Sequence, residues 1–284
     1  MQPASPSRTA LRVALRRAAH QLFDDRPLVL DDPFAVAILG PYAEELHRTP
    51  GRDPANKPRP HSVALRAHLV VRSRYAEDLL TRAAARGVSQ YVLLGAGLDT
   101  FAHRNPHSGL HVFEVDHPAT QAWKRNLLET SDLEQPPALT YVPVDFEQDS
   151  LADRLRDAGH NPARPTFFAW LGVVPYLSLD AFRATVRFIS AQPQGSGLVF
   201  DYSQPRCALP PLEQLAFDSL ASRVQQAGES FQLFFTPRQV AVELAHFFDL
   251  QDLGTHELNE QYFGGRSDKL RLLGSAGRIA SGWL

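Results

Sequence analysis

The chain has 284 residues, of which 44% are apolar and 21% are charged, and its formal net charge is −2. This composition is typical of a globular protein and disfavours a disordered chain or a general nucleic-acid-binding surface. The longest stretch without charged residues, 165–179, is shorter than the ~20 apolar residues of a membrane-spanning helix, so we expect no membrane segment. The one cysteine, Cys207, excludes an internal disulfide and a cysteine-rich zinc site. We therefore expect a cytoplasmic protein with no bound metal and no nucleic-acid partner.

The charge is unevenly distributed along the chain. Residues 1–88 contain 14 Lys or Arg against 9 Asp or Glu, whereas the remainder contains 15 against 22. The basic first third could hold an anion, and the simpler alternative is that its arginines form solvated helix faces.

The first third has helical patterns and no strand pattern. Apolar residues recur at helical spacing up to Phe23, and an aspartate followed by a proline predicts a short second helix over 31–39. A loop with four prolines, 49–60, precedes a long helix over 62–86. We interpret residues 1–88 as a helical cap.

From residue 90 onward, short apolar runs alternate with helical stretches, which is typical of a mostly parallel sheet. Strands are predicted at 90–96, 111–116, 139–145, 166–174 and 197–202, with helices at 119–129, 150–158 and 179–190. A helical insertion at about 205–235 follows, then a helix at 237–246 and strands at 248–253 and 278–283. We expect an α/β fold with a doubly wound, Rossmann-like sheet, in one domain over 1–284 whose core is 89–284.

The segment VLLGAGLDT carries the clearest functional signal, because an apolar strand leads directly into Gly95, Ala96 and Gly97. Such a turn lets the backbone bend tightly and approach a ligand, although it also occurs in strand–helix joints that bind nothing. The next strand ends at Asp116, 21 residues after Gly95. A carboxylate there can accept hydrogen bonds from ribose hydroxyls. Together the turn and the acid indicate a cofactor that contains a nucleoside.

The third glycine of a dinucleotide-binding turn is replaced here by Thr100. A pyrophosphate site needs that glycine so that the helix amino terminus can cradle the phosphates. An NAD-dependent oxidoreductase is therefore disfavoured. S-adenosylmethionine, which has ribose and adenine but no phosphate, is favoured.

The motifs LLGAGLDT and FEVDHP, preceded by DDPFA and VVRSRYAEDLL, occur together in the chain. In this combination the chain resembles the leucine carboxyl methyltransferase-like family of S-adenosylmethionine-dependent O-methyltransferases, from about Thr9 to the final strand. The resemblance implies a class I methyltransferase fold and S-adenosylmethionine as the cofactor.

The resemblance also implies roles for individual residues. Arg72, with Arg74 as the near alternative, matches the arginine that pairs with the methionine carboxylate of the cofactor. Gly95 matches the first glycine of the turn, Asp116 the ribose acid, and Asp145–Phe146 the acid and apolar pair that brackets adenine.

One position departs from the family pattern. A Glu commonly follows the fourth strand, and Leu171 stands at that position here. A cofactor contact would therefore be lost or supplied from elsewhere, and a binding protein without catalytic activity is an alternative to an enzyme.

The acceptor determines which other residues the reaction needs. A carboxylate is ionised at neutral pH and requires no base, whereas a hydroxyl would require one. His103 and His117 flank the cofactor motifs, and we interpret both as structural. The prediction is an O-methyltransferase that acts on a carboxylate, or on a hydroxyl, of a small molecule, with no catalytic residue assigned and the oligomeric state left open.

Candidates for positioning the substrate follow the fourth and fifth strands: Tyr176, Tyr202 and Arg206. An aromatic stretch further along could line an apolar pocket, although we favour core filling for it. Its members are Phe231, Phe234, Phe235, Phe247 and Phe248.

Overall fold

The computed structural model describes residues 7–48, 60–145, 148–225 and 230–284. Seven strands form one sheet: β1 (Gln90–Leu94), β2 (His111–Asp116), β3 (Leu139–Pro143), β4 (Thr166–Trp170), β5 (Gly197–Ser203), β6 (Phe248–Leu253) and β7 (Gly277–Trp283). Their order is β3-β2-β1-β4-β5-β7-β6. Strands β1 to β5 are parallel, whereas β7 is antiparallel to both of its neighbours. The predicted α/β class and mostly parallel sheet are confirmed, with a mixed edge.

The described helices are α1 (Arg8–Phe23), α2 (Glu45–Arg48), α3 (Pro60–Ala85), α4 (Pro118–Thr130), α5 (Leu151–Asp157), α6 (Leu179–Ser190), α7 (Pro211–Gln225), α8 (Pro237–Glu243) and α9 (Thr255–Phe263). Short 3-10 helices lie at Ala37–Glu44, Phe101–Arg104, Val174–Tyr176 and Arg206–Ala208. Within the described residues, no helix combines the length and the apolar character needed to cross a membrane.

The strands bury apolar side chains on both faces of the sheet. Val92 and Leu94 pack in a cluster with residues of α5, α6 and α8, whereas Tyr91 and Leu93 pack in a second cluster with α3 and α9. Because successive strand side chains point to opposite faces, an unbroken apolar run such as QYVLL serves both clusters. Helices therefore cover both faces, as a doubly wound sheet requires.

The N-terminal helices form a third cluster beside the loop that follows β1. Residues of α1 pack there against α4 and the 3-10 helix Ala37–Glu44, and Leu98 of the loop belongs to the same cluster. Helix α1 also packs on α3. This packing brings α1 to the carboxyl edge of the sheet.

Three strands end earlier than predicted: β3 stops at Pro143 rather than at residue 145, and the other two end where a turn with a glycine follows. β1 stops at Leu94 rather than at residue 96, and β4 stops at Trp170 rather than at residue 174. The next turns contain Gly95 and Gly172, whose φ angles are +72° and +74°. A left-handed backbone conformation turns the chain away from the sheet, so the remaining apolar residues face other elements.

The predicted helix over 31–39 is wrong. Residues 33–36 form a turn, and the 3-10 helix Ala37–Glu44 continues past Gly40 with a kink at that residue. The Asp32 carboxylate accepts from Phe34 N at 3.2 Å, but it is also committed to tertiary partners. Hydrogen bonds between Asp32 and distant residues thus take the place of the helix N-cap that is predicted there from the sequence.

Helix α9 is not predicted by the sequence pattern, because only Leu258 and Phe263 of its residues are buried. The helical insertion after β5 is present as α7, up to Gln225, and residues 226–229 lie outside the described part of the chain.

Candidate functional site

A cavity of about 430 Å³ lies at the carboxyl ends of β1, β2 and β4. Doubly wound sheets bind their ligands at this edge, and the volume lies within the ~300–1,000 Å³ of small-molecule sites. The lining comes from the loop after β1, from Asp116 and His117 after β2, from residues 171–173 after β4, and from α1 and α3. Ser230 and Gln232, which follow the insertion, complete it.

The glycine turn forms the floor of the cavity, which Gly95, Ala96 and Gly97 all line. The φ angles of Gly95 and Gly97 are +72° and +53°, values that L side chains rarely adopt. A Cβ atom on Gly95 would overlap Cγ2 of Val173, and one on Gly97 would lie 3.3 Å from Cβ of Ala10. The turn therefore needs glycine both for its backbone and for the close approach of its neighbours.

Asp116 lies at the end of β2, where the sequence predicts it, and lines the cavity. Its Oδ2 accepts from Gly97 N at 2.5 Å and its Oδ1 from His117 N at 2.7 Å. Burial raises the pKa of Asp116, and these two amide donors act in the opposite direction. Each carboxylate oxygen keeps a second lone pair, so the fixed Asp116 can also accept from ribose hydroxyls.

Arg72 of α3 also lines the cavity. Its Nη1 donates to Asp201 Oδ2 at 2.9 Å, and a Cβ atom on Gly172 would lie 2.7 Å from its Nη2. The guanidinium thus lies against the turn after β4, and its forked donors can take a second carboxylate. Arg74, the alternative, is exposed and pairs with Asp78. The structure therefore brings Arg72, rather than Arg74, to the cavity.

Asp201 of β5 is a functional candidate that the sequence reasoning missed. It is buried, its Oδ1 accepts from Gly172 N at 2.5 Å, and its Oδ2 lies 3.5 Å from His68 Nε2. Burial opposes its charge, but Arg72 and His68 lower the pKa of Asp201 well below its usual range. Its one sequence signal is an aspartate inside the apolar strand GLVFDY.

Leu171, which stands in place of the family Glu, lines the cavity and packs against the apolar cluster of the α3 face. The nearby carboxylate of Asp201 does not line the cavity and instead bonds to Arg72 and to Gly172 N.

Arg17 of α1, a second missed residue, joins α1 to the glycine loop. Its Nη1 donates to Asp99 Oδ2 at 2.6 Å and its Nη2 to Asp32 Oδ2 at 2.8 Å. Thr100 Oγ1 donates to the same oxygen of Asp32 at 2.6 Å. Burial opposes both charges, yet the ion pair raises the pKa of Arg17 and lowers that of Asp99. Thr100 thus secures the loop rather than approaching a phosphate.

Lys124 of α4 supports the same loop from behind. Its Nζ donates to the carbonyl oxygen of Asp99 and to Oε2 of Glu114, both at 2.5 Å. The Lys124–Glu114 pair is almost fully buried. Burial raises the pKa of Glu114, and the ammonium of Lys124 opposes that rise.

Asp145 follows β3 and does not line the cavity. Its Oδ2 accepts from Gln148 Nε2 at 2.9 Å, and its backbone N donates to Asp149 Oδ2 at 2.9 Å. Phe146 lies outside the described residues. The adenine contact assigned to this pair stays a prediction.

The three substrate candidates lie in different surroundings. Tyr176 lines the cavity, with its ring 5.3 Å from that of Phe231. Tyr202 is buried on the α8 face and its hydroxyl donates to Asp252 at 2.5 Å, whereas Arg206 pairs with Asp218 at the surface. Neither Tyr202 nor Arg206 lines the cavity, because the alternation of β5 and the outward course of the following chain direct them elsewhere.

The two histidines near the motifs also differ. His117 lines the cavity, and its Nδ1 accepts from Ala119 N at 3.2 Å, where it caps α4. His103 lies behind the loop with neither ring nitrogen hydrogen-bonded, and burial lowers the pKa of His103 to about 4.

These residues fit S-adenosylmethionine. Glycines open the floor, Asp116 can accept from a ribose, and Arg72 can bind the carboxylate of an amino-acid portion. Two solved structures share the fold over nearly their whole length. They are a DUF574 family protein from Streptomyces avermitilis (17% identity, TM-score 0.55, 96% of each chain) and a protein from Thermobifida fusca whose name is "putative methyltransferase" (18% identity, TM-score 0.57, 98% of this chain and 95% of that one). The fold is that of the class I, Rossmann-like methyltransferases.

The chain belongs to the leucine carboxyl methyltransferase family, whose model matches residues 10–190. The Bacillus subtilis protein named "Putative S-adenosyl-L-methionine-dependent methyltransferase YktD" is 30% identical over 292 residues, which cover 95% of each chain. A similarly named protein from Saccharopolyspora erythraea is 36% identical over 260 residues, or 86% of this chain and 77% of that one. The predicted family, cofactor and S-adenosylmethionine-dependent methyltransferase class are confirmed. The NAD-dependent alternative is left without support.

Proposed function

We propose that the protein is an O-methyltransferase that methylates a carboxylate of a small molecule. The observation that carries this proposal is the orientation of His117, the one histidine among the described residues that line the cavity. Because its Nδ1 accepts from a backbone amide, the neutral ring carries its proton on Nε2. His117 then presents a donor and cannot take a proton from an acceptor through Nε2.

The other ionisable groups of the described lining are committed as well. Asp99 is paired with Arg17, and its lowered pKa makes it a weak base. Asp116 accepts two backbone amides, and its position suits the ribose. Among the described lining residues, neither the carboxylates nor His117 offers an available base, and this favours an acceptor that is already ionised, which is a carboxylic acid.

S-adenosylmethionine supplies an electrophilic methyl group on a sulfonium sulfur. Arg72 would hold the methionine carboxylate of this cofactor and Asp116 its ribose. The acceptor carboxylate provides the electron pair of the new O–C bond, the S–C bond breaks with its pair left on sulfur, and no proton is released. The remaining task of the protein is to align the acceptor oxygen, which proximity and orientation can accomplish.

The test is the transfer of labelled methyl from S-adenosylmethionine to a panel of carboxylic acids and phenols. We expect base-labile label on an acid, and a rate that does not rise between pH 6 and 9, because the acceptor is ionised throughout this range. Alkali-stable label on a phenol, with a rate that rises with pH, would contradict the proposal. Binding of S-adenosylhomocysteine without transfer to any member of the panel would favour the non-catalytic alternative.

A further inference from the structure

A group of aromatic rings extends from the cavity lining toward α7. Tyr176 and Gln232 line the cavity, and the ring of Phe231 contacts that of Tyr176 in a tilted arrangement with centroids 5.3 Å apart. Phe217 of α7 lies 6.3 Å from Phe231, and Phe234 lies 5.6 Å from Phe217 and 6.5 Å from Phe231. We call Tyr176, Phe217, Phe231 and Phe234 the aromatic cluster.

The chain that carries this cluster is held firmly against the sheet. Gln232 N and Leu233 N donate to the carbonyl oxygen of Pro175 at 2.7 and 3.2 Å, and Phe235 N donates to Ser203 O at 3.1 Å. The side chains of Leu233 and Phe235 are buried in the core of the α8 face. The backbone beside the cavity is therefore fixed by bonds that do not involve the rings of the cluster.

The phenylalanines of this region have different roles, although the sequence favours core filling for all of them. Phe235 and Phe247 are core residues, and Phe248 is 67% exposed on β6. Phe231 and Phe234 are only half-buried, as is Phe217. Half-buried aromatic rings that continue a ligand cavity are positioned to cover an apolar ligand.

The charges of α7 do not oppose an apolar ligand. Its two acids are Glu213, which accepts from Ser275 N and Oγ, and Asp218, which pairs with Arg206. Both carboxylates are therefore satisfied within the protein.

We propose that the aromatic cluster is the acceptor subsite and takes the aromatic or branched aliphatic body of a carboxylic acid. This inference rests on the proposed function, because it adds an apolar body to the carboxylate assigned there. The acid would lie with its carboxylate toward Gly95 and its apolar end against the rings of Tyr176 and Phe231. Short dicarboxylates would leave one charge against the rings and would be poor acceptors.

The test compares 4-phenylbutyrate with succinate. We expect 4-phenylbutyrate to have the higher kcat/KM and to bind the S-adenosylhomocysteine-loaded protein more tightly in calorimetry. Phe231→Ala should raise its KM and its Kd at least tenfold and should leave the Kd of S-adenosylhomocysteine within twofold. Phe231→Leu should restore part of the loss. The matched control is Phe248→Ala, which removes an exposed ring from β6.

The possible results distinguish the proposed acceptor subsite from the proposed methylation of a carboxylate. Preference for succinate, or a KM and Kd for 4-phenylbutyrate that Phe231→Ala does not change, would overturn the subsite while carboxylate methylation stands. Binding of 4-phenylbutyrate that depends on Phe231 but is followed by no ester formation would support the subsite and count against the proposed reaction. An equal loss of S-adenosylhomocysteine affinity in Phe231→Ala would overturn the assignment, since the ring would then support the whole site.

Discussion

Gly95 illustrates how one missing side chain shapes the floor of the cavity. Its positive φ and the position of Val173 both exclude a Cβ atom. Gly87 also has a positive φ, +93°, but has nothing within 4 Å of a Cβ atom. A substitution at Gly87 would therefore introduce backbone strain alone, whereas one at Gly95 would introduce both backbone strain and steric overlap.

We expect Gly95→Ala and Gly87→Ala each to lose about 1–2 kcal/mol of unfolding free energy from left-handed strain. Only Gly95→Ala should also weaken S-adenosylhomocysteine binding, because its methyl displaces Val173 at the cavity wall. Denaturant unfolding and calorimetry measure the two effects. Equal affinities in the two variants would show that the turn does not contact the cofactor.

Asp116 offers a second prediction at this scale. Asp116→Ala should weaken S-adenosylhomocysteine binding by about 1–3 kcal/mol, because the ribose hydroxyls lose their acceptor. Asp157→Ala, which removes an exposed carboxylate at the end of α5, should leave the affinity as it is. An unchanged affinity in Asp116→Ala would reject the ribose assignment.

The sequence predicts site residues where chemistry follows local spacing. Gly95 and Asp116 both line the cavity, because Gly95 directly follows β1 and Asp116 ends β2. Asp201 and Arg17 are missed because their partners are distant: Arg72 is 129 residues from Asp201, and Asp99 is 82 residues from Arg17. No local pattern contains a pairing of that kind.

Among the elements, α1 docks on the glycine loop through a buried charge. Its residues Ala10, Val13, Ala14 and Arg17 line the cavity, and Arg17 bonds it to the glycine loop. Loss of this arginine would remove a buried counter-ion from Asp99 and from Asp32, which also lies 3.5 Å from Arg104 Nε.

Arg17→Met should therefore destabilise the protein by about 3–5 kcal/mol, the cost of breaking a buried ion pair by removing one partner. Arg17→Lys keeps the charge but loses the fork that reaches two carboxylates, and we expect it to fold and to bind S-adenosylhomocysteine more weakly. Arg16→Met is the control, because Arg16 hydrogen-bonds to Arg12 O on its own helix. Full affinity in Arg17→Lys would mean that α1 docking does not affect the cofactor site.

Element prediction succeeded for the sheet because buried parallel strands have unbroken apolar runs. It failed at strand ends, where Gly95 and Gly172 turn an apolar run out of the sheet. It also failed at residues 31–39, since the Asp32 carboxylate bonds to distant residues. Helix α9 was missed because it buries few side chains.

Across the whole molecule, some of the uneven charge is paired internally between the two parts of the chain. Arg17 and Arg72 of the basic first third pair with Asp99 and Asp201 of the acidic remainder. The interpretation of the first third as solvated helix faces is wrong for these two arginines, which are buried. The pairs attach α1 and α3 to the edge of the sheet.

The buried groups His103 and Asp99 indicate how the stability of the protein depends on pH. Burial lowers the pKa of His103 from 6.5 to about 4, so the unfolded chain binds a proton that the folded protein rejects. Above pH 6.5 the neutral His103 does not reduce the unfolding free energy. As the pH falls from 6.5 toward 4, proton binding by the unfolded chain lowers the unfolding free energy by up to about 1.4 kcal/mol per pH unit. The lowered pKa of Asp99 adds a further loss below pH 4.

We therefore expect the contribution of His103 to the unfolding free energy from urea titrations to fall between pH 6.5 and 4, while Asp116 and Glu114, whose pKa burial raises, contribute in the opposite direction. His103→Phe should reduce this slope, because phenylalanine carries no titrating group. A variant with the full slope would show that other groups cause the acid sensitivity.

The sheet order has a consequence for assembly of the fold. Strand β6 hydrogen-bonds to β7 alone, and β7 is the last strand in chain order, placed between β5 and β6. Until β7 inserts, β6 has no partner, and its residues Phe248 and Leu250 are apolar even on the exposed face. An unpaired apolar strand is a template for pairing with another chain. Newly made or refolding molecules are thus most prone to associate with one another just before their final strand takes its place.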